Sequence, residues 1–141
     1  MNNKYLKSIL AGIVATIAMT AMMIISAQLG MPKMEPPEML ATTMGTSVVF
    51  GWIIHFIIGI VFALIYAYII SGWLTKINSI LMKGVIFGIL AFVIAQVGLM
   101  VMCLMFPEMP EPTGNMVMIL MGSVIGHILF GIITVWIIHR K

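Results

Sequence analysis

Residues 48–70, VVFGWIIHFIIGIVFALIYAYII, decide the fold because they form one long apolar run that contains no Asp, Glu, Lys or Arg. A helix needs about 20 apolar residues to cross a hydrocarbon core of about 30 Å, so this run predicts a membrane-spanning helix. Comparable runs cover residues 8–29, 84–106 and 116–138. We therefore predict an all-α integral membrane protein, with four transmembrane helices in a single bundle.

The composition of the whole chain agrees with a protein that is embedded in lipid. Its 141 residues are 62% hydrophobic and 8% charged, with a mean hydropathy of +1.21, whereas about 25% of the residues of soluble domains are charged. The net charge of +3 comes from scattered residues that form no basic patch, so nucleic acid is not an expected partner. Cys103 is the only cysteine, so no internal disulfide can form.

The charged residues predict the orientation of the four helices. Six basic residues lie on the side that holds both termini, namely Lys4, Lys7, Lys76, Lys83, Arg140 and Lys141. Lys33 lies on the opposite side, together with all four acids, which are Glu35, Glu38, Glu108 and Glu111. Cytoplasmic loops are enriched in Lys and Arg. Both termini are therefore predicted to be cytoplasmic.

The chain also contains an internal repeat, in which residues 7–70 and 83–138 form two similar helical hairpins. The pairs that align are Lys7 with Lys83, Gly12 with Gly88, Glu35 with Glu111, Pro36 with Pro112 and His55 with His127. Each unit has an even number of spans, so the copies run parallel and would be related by a pseudo-two-fold axis along the membrane normal.

Two histidines within the predicted spans are the strongest indication of a functional site. His55 lies between Gly51 and Gly59, and His127 precedes Gly131. Ionisable residues inside a membrane are costly and mark a functional site by default. The structural alternative is that each neutral imidazole hydrogen-bonds to Thr16, Thr20, Gln96 or Ser123. Small residues let membrane helices approach closely, and the glycines expected at helix contacts are Gly12, Gly51, Gly59, Gly84, Gly88 and Gly131.

Methionine is unusually frequent, with 16 residues that gather mainly in the half of the bundle carrying the proline-rich loops. Thioether and thiolate sulfurs are soft ligands that favour Cu(I), and imidazole also accepts copper; the alternative is that methionine only fills apolar space. The predicted metal ligands are His55, His127, Met19, Met23, Met100, Cys103 and Met121. The loop residues expected to capture the ion are Met31, Met34, Glu35, Glu38, Glu108, Met109 and Glu111.

Three interpretations of this site remain open. The first is a protein that binds or passes a soft metal ion, with copper as the expected ion. The second is an electron carrier in which His55 and His127 ligate haem b, non-covalently because no CxxCH motif occurs. The third is a structural subunit without a ligand. Catalytic signatures such as GxSxG, a Walker loop or HExxH are missing, so an enzyme is not expected. Exposed glycine faces would allow a homodimer or a larger membrane complex.

Several short motifs resemble a known family. They are the basic start followed by AGIVAT at residues 11–16, MPKM at 31–34, PEMLA at 37–41 and GWxxHFxxG at 51–59. Together they resemble a family of small bacterial inner-membrane proteins that is catalogued only as a domain of unknown function. The resemblance covers nearly the whole chain. It implies four helices and a location in the bacterial inner membrane, and it implies no activity.

Overall fold

The fold is all-helical, as predicted, in a computed structural model that describes residues 3–107, 109 and 113–140. Four helices are long and apolar enough to cross a membrane. They are α1 (Lys4–Gln28), α3 (Val48–Trp73), α4 (Ile80–Met105) and α5 (Met116–His139), and a short helix α2 (Pro36–Thr43) lies between α1 and α3. We call the end of the bundle that carries α2 the proline-loop end, and the other the terminal end.

Polar capping residues explain why α1 and α4 begin earlier than the apolar runs predict. The Asn3 side chain accepts a hydrogen bond from the backbone N–H of Tyr5 at 3.0 Å. Ser79 accepts one from the N–H of Met82 at 3.2 Å. The first N–H groups of a helix have no partner within it, and side-chain oxygens at the N-cap satisfy them. Each helix therefore starts at its cap.

The helices pack in the order α3–α1–α5–α4, so that α1 contacts α3 and α5, and α5 contacts α1 and α4. Helices α3 and α4 do not come close along their backbones and meet mainly through side chains, such as Tyr66 and Phe87 with ring centroids 4.8 Å apart. Under the predicted pseudo-two-fold axis, the contact between α3 and α4 would be equivalent to the contact between α1 and α5. The helix contacts do not follow that symmetry, and the α3–α4 side of the bundle is open.

The glycines expected at helix contacts all lie where a neighbouring element comes very close. A Cβ on Gly12 would lie 2.5 Å from Ile60 Cα, and one on Gly88 would lie 2.5 Å from Ile128 Cα. A Cβ on Gly84 would lie 2.6 Å from Ile132 Cα. The remaining contacts are Gly51 with the Pro37 carbonyl, Gly59 with Thr16 Oγ1, and Gly131 with the backbones of Gly84 and Gly88. The absence of a side chain therefore determines how closely these elements pack.

Helix α3 contains a π-helical turn, Tyr66–Ile70, near the terminal end. Within this turn Tyr66 is fully buried, and its hydroxyl lies 2.9 Å from Nε2 of His139 at the end of α5. Single π-helical turns are rare in proteins and occur frequently at functional sites. This hydrogen bond connects α3 to α5 across the bundle, and the sequence interpretation assigned no role to either residue.

We expect Tyr66→Phe to lower the free energy of unfolding by about 1 kcal/mol, since it removes one hydrogen bond and leaves the ring in place. The loss stays small because His139 is exposed at the helix end and can be hydrated instead. Chemical unfolding in detergent measures the effect. Tyr68→Phe is the matched control, because Tyr68 is 56% exposed and its hydroxyl is involved in no hydrogen bond within the described chain.

Candidate metal site

A cavity of about 910 Å³ lies in the half of the bundle toward the proline-loop end, and all four long helices line it. Residues 33–36 of the first loop and part of α2 also line it, and they form its mouth. His55 of α3 and His127 of α5 both contribute to the wall. The two histidines, which are far apart in sequence, therefore border the same space.

The imidazole of His127 is oriented by its own helix. Its Nδ1 lies 2.8 Å from the backbone carbonyl oxygen of Ser123. A carbonyl can only accept a hydrogen bond, so Nδ1 carries the proton, and in the neutral ring Nε2 has the free lone pair. Histidines that bind metals usually donate their other N–H in this way. The ring also packs edge-on to Phe92, with centroids 5.8 Å apart.

His55 is more weakly held and more deeply buried, with 7% of its surface exposed. Its Nε2 lies 3.4 Å from Thr20 Oγ1, near the outer limit of a hydrogen bond. Trp52 stacks edge-on to the ring at a centroid distance of 6.2 Å. Of the four hydrogen-bond partners expected from the sequence, Thr20 approaches His55, and Ser123 approaches His127 through its backbone. Gln96 lines the cavity, and within the described residues it forms no hydrogen bond with either ring.

Sulfur ligands surround the same space. Six methionines line the cavity, namely Met19, Met23, Met34, Met39, Met102 and Met116. Met19 and Met23, on α1, are both buried. Four of the predicted metal ligands, His55, His127, Met19 and Met23, are thus placed around one cavity, together with Met34, Glu35 and Glu38 of the predicted capture residues.

Other candidate residues lie away from the cavity. Met100 and Met121 are 66% and 55% exposed on outward-facing helix surfaces, and Cys103 is exposed as well. Cys103 Sγ lies 3.7 Å from Met109 Sδ, and Met31 lies beside Gly122. Glu108 and Glu111 fall outside the described residues. Met19 and Met23 follow Gly12 and Thr16 along the buried face of α1, and this helical spacing distinguishes them from the exposed Met100 and Met121.

The mouth of the cavity carries more negative than positive charge. Lys33 Nζ forms an ion pair with Glu35 at 2.7 Å, and Glu38 lies nearby. The hydrogen bond from Lys33 lowers the pKa of Glu35, whereas the hydrogen bond with Glu35 raises the pKa of Glu38. With Lys33 already paired, one acid remains in excess at the mouth.

The floor of the cavity is aromatic. Phe62 and Phe130 line its deep end with centroids 6.5 Å apart, edge to face. Phe87 packs behind Phe130 at 6.1 Å, and Tyr66 packs behind Phe87. These rings separate the cavity from the terminal end, and they come from three different helices, so no single-helix pattern could have revealed them.

Two further observations restrict how the cavity could hold a metal ion. Among the described residues, no group of three or more His, Cys, Asp or Glu side chains comes together. Thr16, which is 1% exposed and lines the cavity, has an Oγ1 with no hydrogen-bond partner in the described part of the chain. A metal held by both histidines would thus need methionine sulfur or exogenous ligands to complete its coordination.

The helices and the cavity define a small four-span membrane protein with a paired-histidine cavity. Residues 2–141 match the family of unknown function DUF6789, and the chain belongs to that family, as the sequence motifs indicated. No curated protein and no solved structure matches the chain.

Proposed function

We propose that this protein binds or passes a soft metal ion, and that the ion is copper. One observation carries the proposal: two histidines, six methionines and two glutamates from different parts of the chain line a single cavity. Soft thioethers and imidazole together are ligands that favour copper over the hard cations. The proposed location is the bacterial inner membrane with both termini in the cytoplasm, so that the cavity opens outward.

The charge at the mouth supports capture of a cation. Glu35 is neutralised by Lys33, and Glu38 leaves an excess negative charge beside the opening. Met34 and Met39 line the path inward from there. A cation would therefore be attracted at the loops and would meet sulfur ligands before it reached the histidines.

The ligands at the deep end favour Cu(I) over zinc. Structural zinc sites use four Cys, His or carboxylate ligands, and among the described residues His55 and His127 are the ones of that kind that line the cavity away from its mouth. Met19 and Met23 of α1 line it as well. Their thioethers bind Cu(I) well, and the proposed site is His55, His127, Met19 and Met23.

Haem b is the second candidate, and the size of the cavity favours it, because about 910 Å³ lies in the range of cofactor pockets. The charges at the mouth oppose it, since the two propionates would face Glu35 and Glu38 with Lys33 already paired. We therefore rank haem below copper.

Metal analysis and an absorption spectrum of the purified protein test the proposal. We expect a colourless protein that takes up about one Cu(I) per chain, in keeping with one site. A Soret band that disappears in both His55→Ala and His127→Ala would instead establish haem. A protein with neither ligand would leave a structural role for the histidines.

We expect Lys33→Gln to increase the rate of copper capture roughly threefold at low ionic strength, because it adds a net negative charge to the mouth. The gain should vanish in high salt, which screens exposed charges. In the wild type, acidification should slow capture first as Glu38 is protonated, because its pKa is raised, and again at lower pH as Glu35 is protonated. Stopped-flow mixing measures the rate, with Lys76→Gln at the terminal end as the control.

A further inference from the structure

The cavity is much larger than a metal ion requires, and it reaches the surface of the bundle between α3 and α4. Ile58 of α3 and Ile94 of α4 line it while remaining 39% and 46% exposed. Gly98 also lines it, and a Cβ added there would meet no atom within 4 Å. Since α3 and α4 do not approach closely along their backbones, the cavity opens sideways as well as at its mouth.

The surroundings of this side opening are apolar. The neighbouring residues Val93 and Val97 on α4 are 50% and 57% exposed, and they lie within a helix long and apolar enough to cross a membrane. At this depth the solvent is hydrocarbon rather than water. A space that opens there is filled by an apolar chain more favourably than by water.

The wall of the cavity, by contrast, offers a hydrogen-bonding group. His127 lines it and has Nε2 free as an acceptor because its Nδ1 donates to Ser123. Buried polar groups normally have partners. A ligand hydroxyl that donates to Nε2 would supply one.

The charges at the mouth decide which head group fits. Two glutamates and one paired lysine disfavour an anionic phosphate. We propose that the cavity binds a neutral lipid with a hydroxyl head group, which enters from the bilayer between α3 and α4. Its head lies against His127, and its chain leaves past Ile58 and Ile94. The lipid and copper would be alternative occupants of His127, so lipid binding does not depend on the metal site.

Photolabelling of the full chain tests this, with metal-free protein in phosphatidylcholine vesicles and a monoacylglycerol whose chain carries a photoactivatable group. We expect saturable labelling of α3 and α4 around Ile58 and Ile94. Gly98→Trp should lower it at least about tenfold, equivalent to about 1.4 kcal/mol, because the indole fills the opening. Val97→Trp is the control, since Val97 is exposed on the same helix but does not line the cavity.

A second variant and a second probe make the test specific. His127→Phe keeps a planar ring but removes the hydrogen-bond acceptor, and it should weaken labelling without loss of the fold. The same chain on a phosphate head should label the site weakly. Competition by unlabelled monoacylglycerol or by an isoprenoid quinol then identifies which neutral hydroxyl lipid binds better.

Three results would overturn the proposal. The first is labelling that does not saturate, and the second is equal labelling in Gly98→Trp and Val97→Trp. The third is an intermolecular disulfide in the double variant Gly98→Cys, Cys103→Ser. Such a bond would show that a second copy of the protein covers the side opening.

Discussion

Replacing His127 with alanine is expected to lower the affinity for Cu(I) by more than about a hundredfold. Loss of a residue that merely orients a metal ligand costs about 10- to 100-fold, and His127 is itself a proposed ligand with its Nε2 free. Titration against a chromogenic Cu(I) chelator measures the affinity. His55→Ala should have an effect of similar size.

Methionines that the structure places away from the cavity provide the matched controls for this experiment. Met100→Leu and Met121→Leu should bind copper as tightly as the wild type, because both side chains are exposed and neither lines the cavity. Met19→Leu and Met23→Leu should weaken binding. Equal copper affinity in His127→Ala and the wild type would refute the proposed site, as would a loss caused by Met100→Leu alone.

Replacing Gly131 with valine is expected to lower the stability of the bundle strongly. A Cβ at this position would lie 2.5 Å from Gly88 N and 2.7 Å from Gly88 Cα, and it would also strike the Gly84 carbonyl. Backbone atoms cannot rotate away as side chains do, so α4 and α5 would have to separate. Overpacking costs about 1–3 kcal/mol and occasionally more, and we expect the upper end of this range.

Unfolding in a series of detergent and denaturant mixtures measures that loss, with Gly98→Val as the control. The control adds the same side chain to α4 where a Cβ would meet no atom within 4 Å, so the unfolding midpoint should barely change. A similar midpoint for Gly131→Val and the wild type would show that α4 and α5 do not pack closely through these glycines.

Much of the fold could be predicted from the sequence, because lipid imposes a simple requirement. Each long apolar run must satisfy its backbone hydrogen bonds internally, so it forms a helix. Four such runs predicted four spans, and the observed helices confirm them. The short helix α2 begins at Pro36, because Pro36 and Pro37 suit the first turn of a helix.

The site was predictable only in part. Its two histidines stood out because ionisable residues are rare in membrane spans, and both border one cavity; their role as ligands stays a prediction. The methionines could have been sorted further than they were. Met19 lies three residues after Thr16 and seven after Gly12, on the buried face of α1, whereas Met100 is exposed on α4. The sequence interpretation did not use this spacing and grouped Met100 with Met19.

The sequence by itself therefore determined the four helices and the family, because both depend on local runs and motifs. Tertiary structure decided how the helices are arranged. Close contacts at Gly12 and Gly131 bring α1 to α3 and α4 to α5, while α3 and α4 stay apart and leave the cavity open between them. Such contacts depend on the shapes of two helices at once, and for that reason the predicted repeat did not anticipate that α1 packs against α5 while α3 and α4 stay apart.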